Sequence, residues 1–288
     1  MLKKRKQNKN EIIENPAVSK GTGILMTLLA VAFLFPIFLV LMNSFKNKLY
    51  ISDAPFALPN SDTFSGMYNY VNGIQKTGLL VAAGRSAFIT ICSVIVIVLL
   101  TSMAAWWITR VTCKLSTVLY YLFVFAMIVP FQMVMFTLSK VTDFLHLGNM
   151  FGIIPVYLGF GAGLSLFMFC GFIKAIPISL EEAAMIDGCT PVQTYFKVIV
   201  PMLRPTMITV AILNAMWIWN DYLLPTLVLD SEKPTIPMAV QYLRGGYGSI
   251  DMGAMMAMLV LAILPIIVFY LTCQKYIIKG VAAGAVKG

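Results

Sequence analysis

Histidine and acidic side chains are scarce in this chain of 288 residues, with a single histidine and twelve Asp and Glu. His146 alone excludes a multi-histidine metal site, and between two apolar runs it reads as a surface loop residue. The five cysteines, Cys92, Cys113, Cys170, Cys189 and Cys273, never fall in CxxC spacing, so neither a metal cage nor a disulfide is expected. No GxxxxGK run followed by Ser or Thr is present to cradle a nucleotide's phosphates. HExxH and GxSxG are also missing, which removes the zinc-protease and serine-hydrolase designs. Charge itself is scarce: 11% of residues carry it, against about 25% in soluble domains.

What fills the chain instead is apolar sequence. Hydrophobic residues make up 59%, and the mean hydropathy is +0.86. A helix crossing about 30 Å of hydrocarbon needs roughly 20 apolar residues. Six runs meet that length, near 23–42, 86–108, 117–139, 150–172, 206–229 and 252–273. Five of them contain a proline, at Pro36, Pro130, Pro155, Pro225 and Pro265. Such breaks suit helices kinked around a pathway and ordinary bundle packing alike.

The formal charge of +9 does not point to nucleic acid, because the excess Lys and Arg flank the apolar runs. The N-terminal MLKKRKQNKN lacks a small-residue cleavage site after it, so the first run reads as a retained helix. Alternate loops, starting with the N-terminus, hold about twice the Lys and Arg of the others, which predicts both termini in the cytoplasm. The expected organisation is a basic N-terminus (1–22), a six-helix membrane domain (23–273) and a cytoplasmic tail (274–288). A longer excursion, about 43–85, lies outside.

One cytoplasmic loop, 179–201, carries unusually explicit helix signals. Ser179 stands three residues before Glu182, the spacing of a capping box. Glu181 and Glu182 fall in the first turn, where the helix dipole favours negative charge. Gly188 suits a left-handed C-cap. Thr190, Pro191 and Gln193 then repeat the capping device for a second helix. Helices this short are marginal alone and need a surface to dock on. Ala183, Ala184, Met185 and Ile186 offer a small apolar face, flanked by Glu181, Glu182 and Asp187. Lipid headgroups are one candidate surface, but an anionic leaflet would repel the carboxylates. A basic cleft on a protein partner fits better.

The spacing Glu182-Ala183-Ala184, three residues, Gly188, nine residues, Val198-x-Val200-Pro201 resembles the signature loop of ABC importer permease subunits. Val198 and Val200 stand where that family usually has Ile and Leu. The likeness extends to Pro36, Ser44-Phe45-Lys46, Ala104-Ala105-Trp106, Arg110, WIWNDYLLP at 217–225 and GVAAGAVKG at 280–288. It points to the carbohydrate branch, on the side of the maltose-type G permease. Arg85 departs from it, in place of the usual Asn.

This resemblance implies an all-α, six-transmembrane-helix bundle of the type I importer kind, in the bacterial cytoplasmic (inner) membrane. It implies that Glu181, Glu182, Ala183, Ala184, Met185, Asp187 and Gly188 form a coupling helix docked on an ATPase subunit, and that 282–288 reaches the ATPase dimer. It implies a second related permease in a heterodimer, two ATP-binding subunits that hold ATP-Mg, an external sugar-binding protein and a carbohydrate substrate. This chain itself would hold no cofactor and do no catalysis.

Asp221 is the one acid expected inside a span, about 22 Å from its cytoplasmic end at 1.5 Å per residue. Asn214, Trp217 and Asp221 share a helical face at i, i+3 and i+7, with Asn220 beside them. Aromatic faces with amide and carboxylate groups suit a sugar, which makes this a candidate wall of the path. Structural pairing of Asp221, with the tryptophans in an interfacial belt, accounts for the same residues. A secondary transporter using Asp221 as an ion site is the alternative function, though it has no need of an acidic docking loop.

Overall fold

A chain in hydrocarbon must satisfy every backbone N–H and C=O internally, so its apolar runs fold as helices. The computed structural model describes residues 16–243 and 251–285, with side chains from 21 to 243 and 251 to 276. Among the described residues the architecture is all-α, apart from one isolated bridge between Lys46 and Phe64. Helix α1 (Pro16–Asn43) leads into α2 (Lys48–Asp53) and α3 (Tyr68–Thr77), which organise the first excursion. There Nδ2 of Asn69 donates to the carbonyls of Ser44 and Lys46, and Lys46 Nζ donates to the carbonyl of Ala54. Then follow α4 (Leu79–Arg110), α5 (Lys114–Ile128), α6 (Phe131–Phe144) and α7 (Ile153–Ile173). The polar loop forms α8 (Ser179–Ile186) and α9 (Pro191–Thr194). A π-helical turn (Tyr195–Ile199) joins α9 to α10 (Val200–Asn220). The chain closes with α11 (Leu223–Val228), α12 (Ile236–Tyr242) and α13 (Met252–Ala285).

Among the described residues five helices are individually long and apolar enough to span, with Pro191–Asn220 counted as one. The third span in chain order, expected as a single helix near 117–139, is instead α5 and α6 meeting at 106°. Pro130 supplies the reason. It lacks an N–H and pushes the preceding residue out of the helical region, so Val129 is extended and α6 starts afresh from Pro130. Pro36, Pro205 and Pro265, by contrast, are carried inside continuous helices. The expected segment boundaries also fall within helices: α1 begins at Pro16, before position 22, and α13 runs past 273 to Ala285. Residues 1–15 and 286–288, and so the end of the expected tail contact, lie outside the described residues.

Helix α7 is the centre of the bundle. More than half of its apolar span is buried, whereas that of α1 is wholly exposed. It packs on α4, α5 and α10, and two glycines set how close they come. A Cβ on Gly161 would lie 2.7 Å from Ile97 Cδ1 and 2.8 Å from Asn214 Oδ1. One on Gly163 would lie 2.8 Å from the Phe123 carbonyl oxygen. Between membrane helices, where lipid is as apolar as leucine, such close packing and interhelical hydrogen bonds drive association. Toward the polar loop, Leu166, Phe169 and Ile173 of α7 share one buried cluster with Tyr195, Ile199 and Leu203.

Candidate functional site

The polar loop folds as two capped limbs, though not from the residues expected at its start. Pro177 opens the turn early: its carbonyl accepts from Leu180 N, and the Ile178 carbonyl accepts from Glu181 N and Glu182 N. Ile178 is already helical and no side chain caps α8. The Ser179–Glu182 capping box therefore does not form. The far end follows the sequence closely. Gly188 adopts φ 84°, the Cys189 N–H bonds the Ala184 carbonyl at 2.9 Å, and the Gly188 N–H bonds that of Met185 at 3.0 Å. That pair of bonds is a Schellman motif, which satisfies the last carbonyls of α8. Thr190 and Gln193 then cap α9 reciprocally, at 3.3 Å and 2.8 Å.

After four residues α9 widens into the π turn, where Val200 N bonds the carbonyl of Tyr195. The wider turn aims Tyr195 inward. Its hydroxyl lies 2.7 Å from Ser102 Oγ, and its ring lies 5.6 Å from that of Trp106. Phe196, next along, stays exposed.

The two glutamates of α8 face different surroundings. Glu182 is exposed, together with Ala183, Met185, Ile186, Asp187 and Gly188. Ile186, at 86% exposure, is the most open large apolar side chain of the described residues. Glu181 and Ala184 are buried. Glu181 Oε1 accepts from Arg110 Nε at 2.8 Å and pairs with Nη2 at 2.6 Å. Its Oε2 accepts from Trp106 Nε1 at 2.9 Å. Arg110 Nη2 also donates to the Ile176 carbonyl at 2.9 Å. Only Glu182 and Asp187 thus present charge outward, so the repulsion from an anionic leaflet is that of two carboxylates, not three. The sequence pattern had flagged Trp106 and Arg110 without a partner. Their i, i+4 placement at the end of α4 was the available signal, and Tyr195 carried none.

At the other end of α10 the helix stops at Asn220, so Asp221 is its C-cap and not a residue within a continuous helix. Its side chain explains the break. Oδ1 accepts from Leu223 N at 3.0 Å and Leu224 N at 3.4 Å, diverting the chain into α11. Oδ2 accepts from the Tyr157 hydroxyl at 3.2 Å. Trp217 meets the same Tyr157 ring edge-on, with centroids 5.5 Å apart. Asn214 is buried and donates to Ser165 Oγ and its own Val210 carbonyl. Asn214, Trp217 and Asp221 therefore all turn toward α7. Asn220 is exposed, bonded to the Met216 carbonyl, and lines a groove of about 640 Å³ with Tyr222 and Gln241. Arg85 makes a long contact, 3.5 Å to the Glu232 carbonyl.

Residues 95–283 match the family described as "Binding-protein-dependent transport system inner membrane component". Among similar proteins is the "Probable starch degradation products transport system permease protein AmyC" of Thermoanaerobacterium thermosulfurigenes. It is 39% identical over 92% of this chain and 94% of its own. The "Multiple sugar-binding transport system permease protein MsmG" of Streptococcus mutans is 37% identical over 92% and 95%. The fold resembles that of a chain in a crystal structure of a bacterial ABC transporter involved in the import of the acidic polysaccharide alginate. The TM-score there is 0.75 at 22% identity, covering 91% of this chain and 96% of that one.

Proposed function

The chain belongs to the family of binding-protein-dependent transport system inner membrane components, and from that premise we propose that it is a permease subunit of an ATP-driven importer of oligosaccharides. The sugar class rests on the relatives, two of which are named for starch products and multiple sugars. The observation that carries the coupling role is the outward face of α8. Met185 and Ile186 stand exposed there between the carboxylates of Glu182 and Asp187, in a chain with no nucleotide-binding motif of its own. A basic-rimmed cleft on an ATP-binding subunit is the complementary surface, and Ala183 and Gly188 are small enough to let it approach. Glu181 and Ala184 support that face from behind.

In this reading α8 and both termini are cytoplasmic, as the distribution of Lys and Arg favours. A related permease completes the path as a heterodimer, and two ATP-binding subunits hold ATP-Mg and do the hydrolysis. On the path side, Trp217 is partly exposed and Asn220 is open, so these two are available to a sugar. Asn214 and Asp221 are engaged within the bundle and shape it.

The test is Glu182→Lys in the assembled importer, purified through a tag on this chain. The expected result is loss of the ATP-binding subunits from the purified complex, or loss of ATP-driven uptake in proteoliposomes. If the complex and its uptake both stay at wild-type levels while Asp221→Asn abolishes uptake, the secondary-transport reading takes its place.

A further inference from the structure

Glu181 is one of the two acids in the first turn of α8, yet its carboxylate is turned away from any docking partner. Both oxygens are taken, by Arg110 and Trp106. The side chain is only 5% exposed, and that of Arg110 17%. The donors are not scattered: Ser102, Trp106 and Arg110 follow at intervals of four along one stripe of α4. Ser102 and Trp106 hold Tyr195, in the second limb of the loop. Trp106 and Arg110 hold Glu181, in the first. The second arm of Arg110 reaches the Ile176 carbonyl, in the link between α7 and α8.

The covalent routes out of the loop both depart from regular α-helix. Toward α7 the chain passes through the short turn at 174–178, and toward α10 it passes through the π turn. A π turn breaks the regular backbone ladder, and such turns recur at functional sites and bends. Helix α4 is different. Its 32 residues form one unbroken helix, about 48 Å long at 1.5 Å per residue, longer than the hydrocarbon is thick.

We propose that Glu181, with Trp106 and Arg110, is a positioning unit that locks α8 onto α4, so that displacement of the loop is delivered to α4 as a rigid body and not absorbed by the flanking turns. The inference rests on the docking role of α8 proposed above. It assigns Glu181 a task separate from docking: Glu182 faces the partner, and Glu181 transmits what the partner does. A buried carboxylate in contact with a guanidinium fork and an indole N–H has a fixed geometry, which a transmitting contact requires. Replacing one member leaves the other buried without its counter-charge and lets α8 rotate on its turns.

The experiment uses the complete importer in proteoliposomes, with its partner permease, ATP-binding subunits and substrate-loaded binding protein. Three quantities are measured: the ATP-binding subunits retained on purification, ATP hydrolysed, and sugar taken up. Glu181→Gln is expected to retain those subunits but to raise the ATP hydrolysed per sugar imported about ten-fold, within the range found for residues that carry coupling. Trp106→Phe keeps the ring against Tyr195 and removes one hydrogen bond, so a smaller rise is expected. Arg110→Lys, which keeps the charge and loses the fork, should fall between them. Loss of the ATP-binding subunits in Glu181→Gln, to the extent seen with Glu182→Lys, would overturn the proposal by placing Glu181 at the docking surface. So would an intact complex whose ATP-to-sugar ratio stays within about two-fold of the wild type. If Glu181→Gln fails to accumulate in the membrane, Trp106→Phe and Arg110→Lys decide by the same ratio. Failure of the docking reading itself shows separately, as Glu182→Lys with both attachment and uptake intact.

Discussion

Two ion pairs of the described residues close long stretches of chain, at opposite ends of α4, and they are built to different standards. Lys76 and Asp251, 2.6 Å apart, pair at the α3 end, where the lysine side chain is 51% exposed and the carboxylate also takes a bond from Asn72. Arg110 and Glu181 pair at the loop end, under cover, with both carboxylate oxygens occupied. The first joins α3 to the start of α13 beside an open surface. The second sets the angle of a helix whose other face is left free. A surface pair is screened by water and contributes little. A buried pair contributes little net either, because desolvation offsets attraction, but it is costly to break. That asymmetry suits a joint that must not slip.

The largest effect should come from Arg110→Met, which strands the Glu181 carboxylate. Loss of one partner of a buried pair costs about 3–5 kcal/mol, read as a lowered thermal unfolding midpoint in detergent. If Lys76→Met costs as much, the contrast between the two ends collapses. Next comes Thr190→Ala, which deletes a cap that is formed and should cost about 1 kcal/mol in the same assay. Lys76→Ala should cost about 0.2–1 kcal/mol, screened by salt.

Its pH dependence has a definite sign. Burial raises the Asp251 carboxyl, but the hydrogen bonds from Lys76, Ala254 and Asn72 and the lysine charge together hold it below the usual value. A depressed carboxyl stabilises above its unfolded pKa of about 3.9, and that contribution is lost as pH falls through the folded value. Wild type and Lys76→Ala should therefore differ at neutral pH and converge in acid below about pH 4. The smallest effect belongs to Ser179→Ala, within about 0.5 kcal/mol. A loss as large as that of Thr190→Ala would show that Ser179 caps α8 after all.

Legibility in the sequence varied with the range of the interaction concerned. Gly188 and the Thr190–Gln193 box were readable because both involve groups within a few residues of each other. Ser179 misled for a local reason too: Pro177, two residues earlier, starts the turn first and leaves the serine no orphan N–H to cap. The third span was readable as apolar length, but length does not say whether a proline kinks a helix or ends it. Pro36, Pro205 and Pro265 stay inside helices, whereas Pro130 separates two of them at 106°. The shared face of Asn214, Trp217 and Asp221 followed from the helical period. That Tyr157 receives two of them did not, since it lies on another helix.

By itself, the sequence determined that this is a membrane bundle of helices with a capped polar loop, because apolar length, charge placement and short-range capping are properties of neighbouring residues. The permease reading came from the resemblance of that loop to a family signature. Only the tertiary structure decided that one of two adjacent glutamates looks out while the other is locked to α4. Successive residues on a helix point about 100° apart, so which of them is buried depends on where Arg110 lies, 71 residues away in the chain.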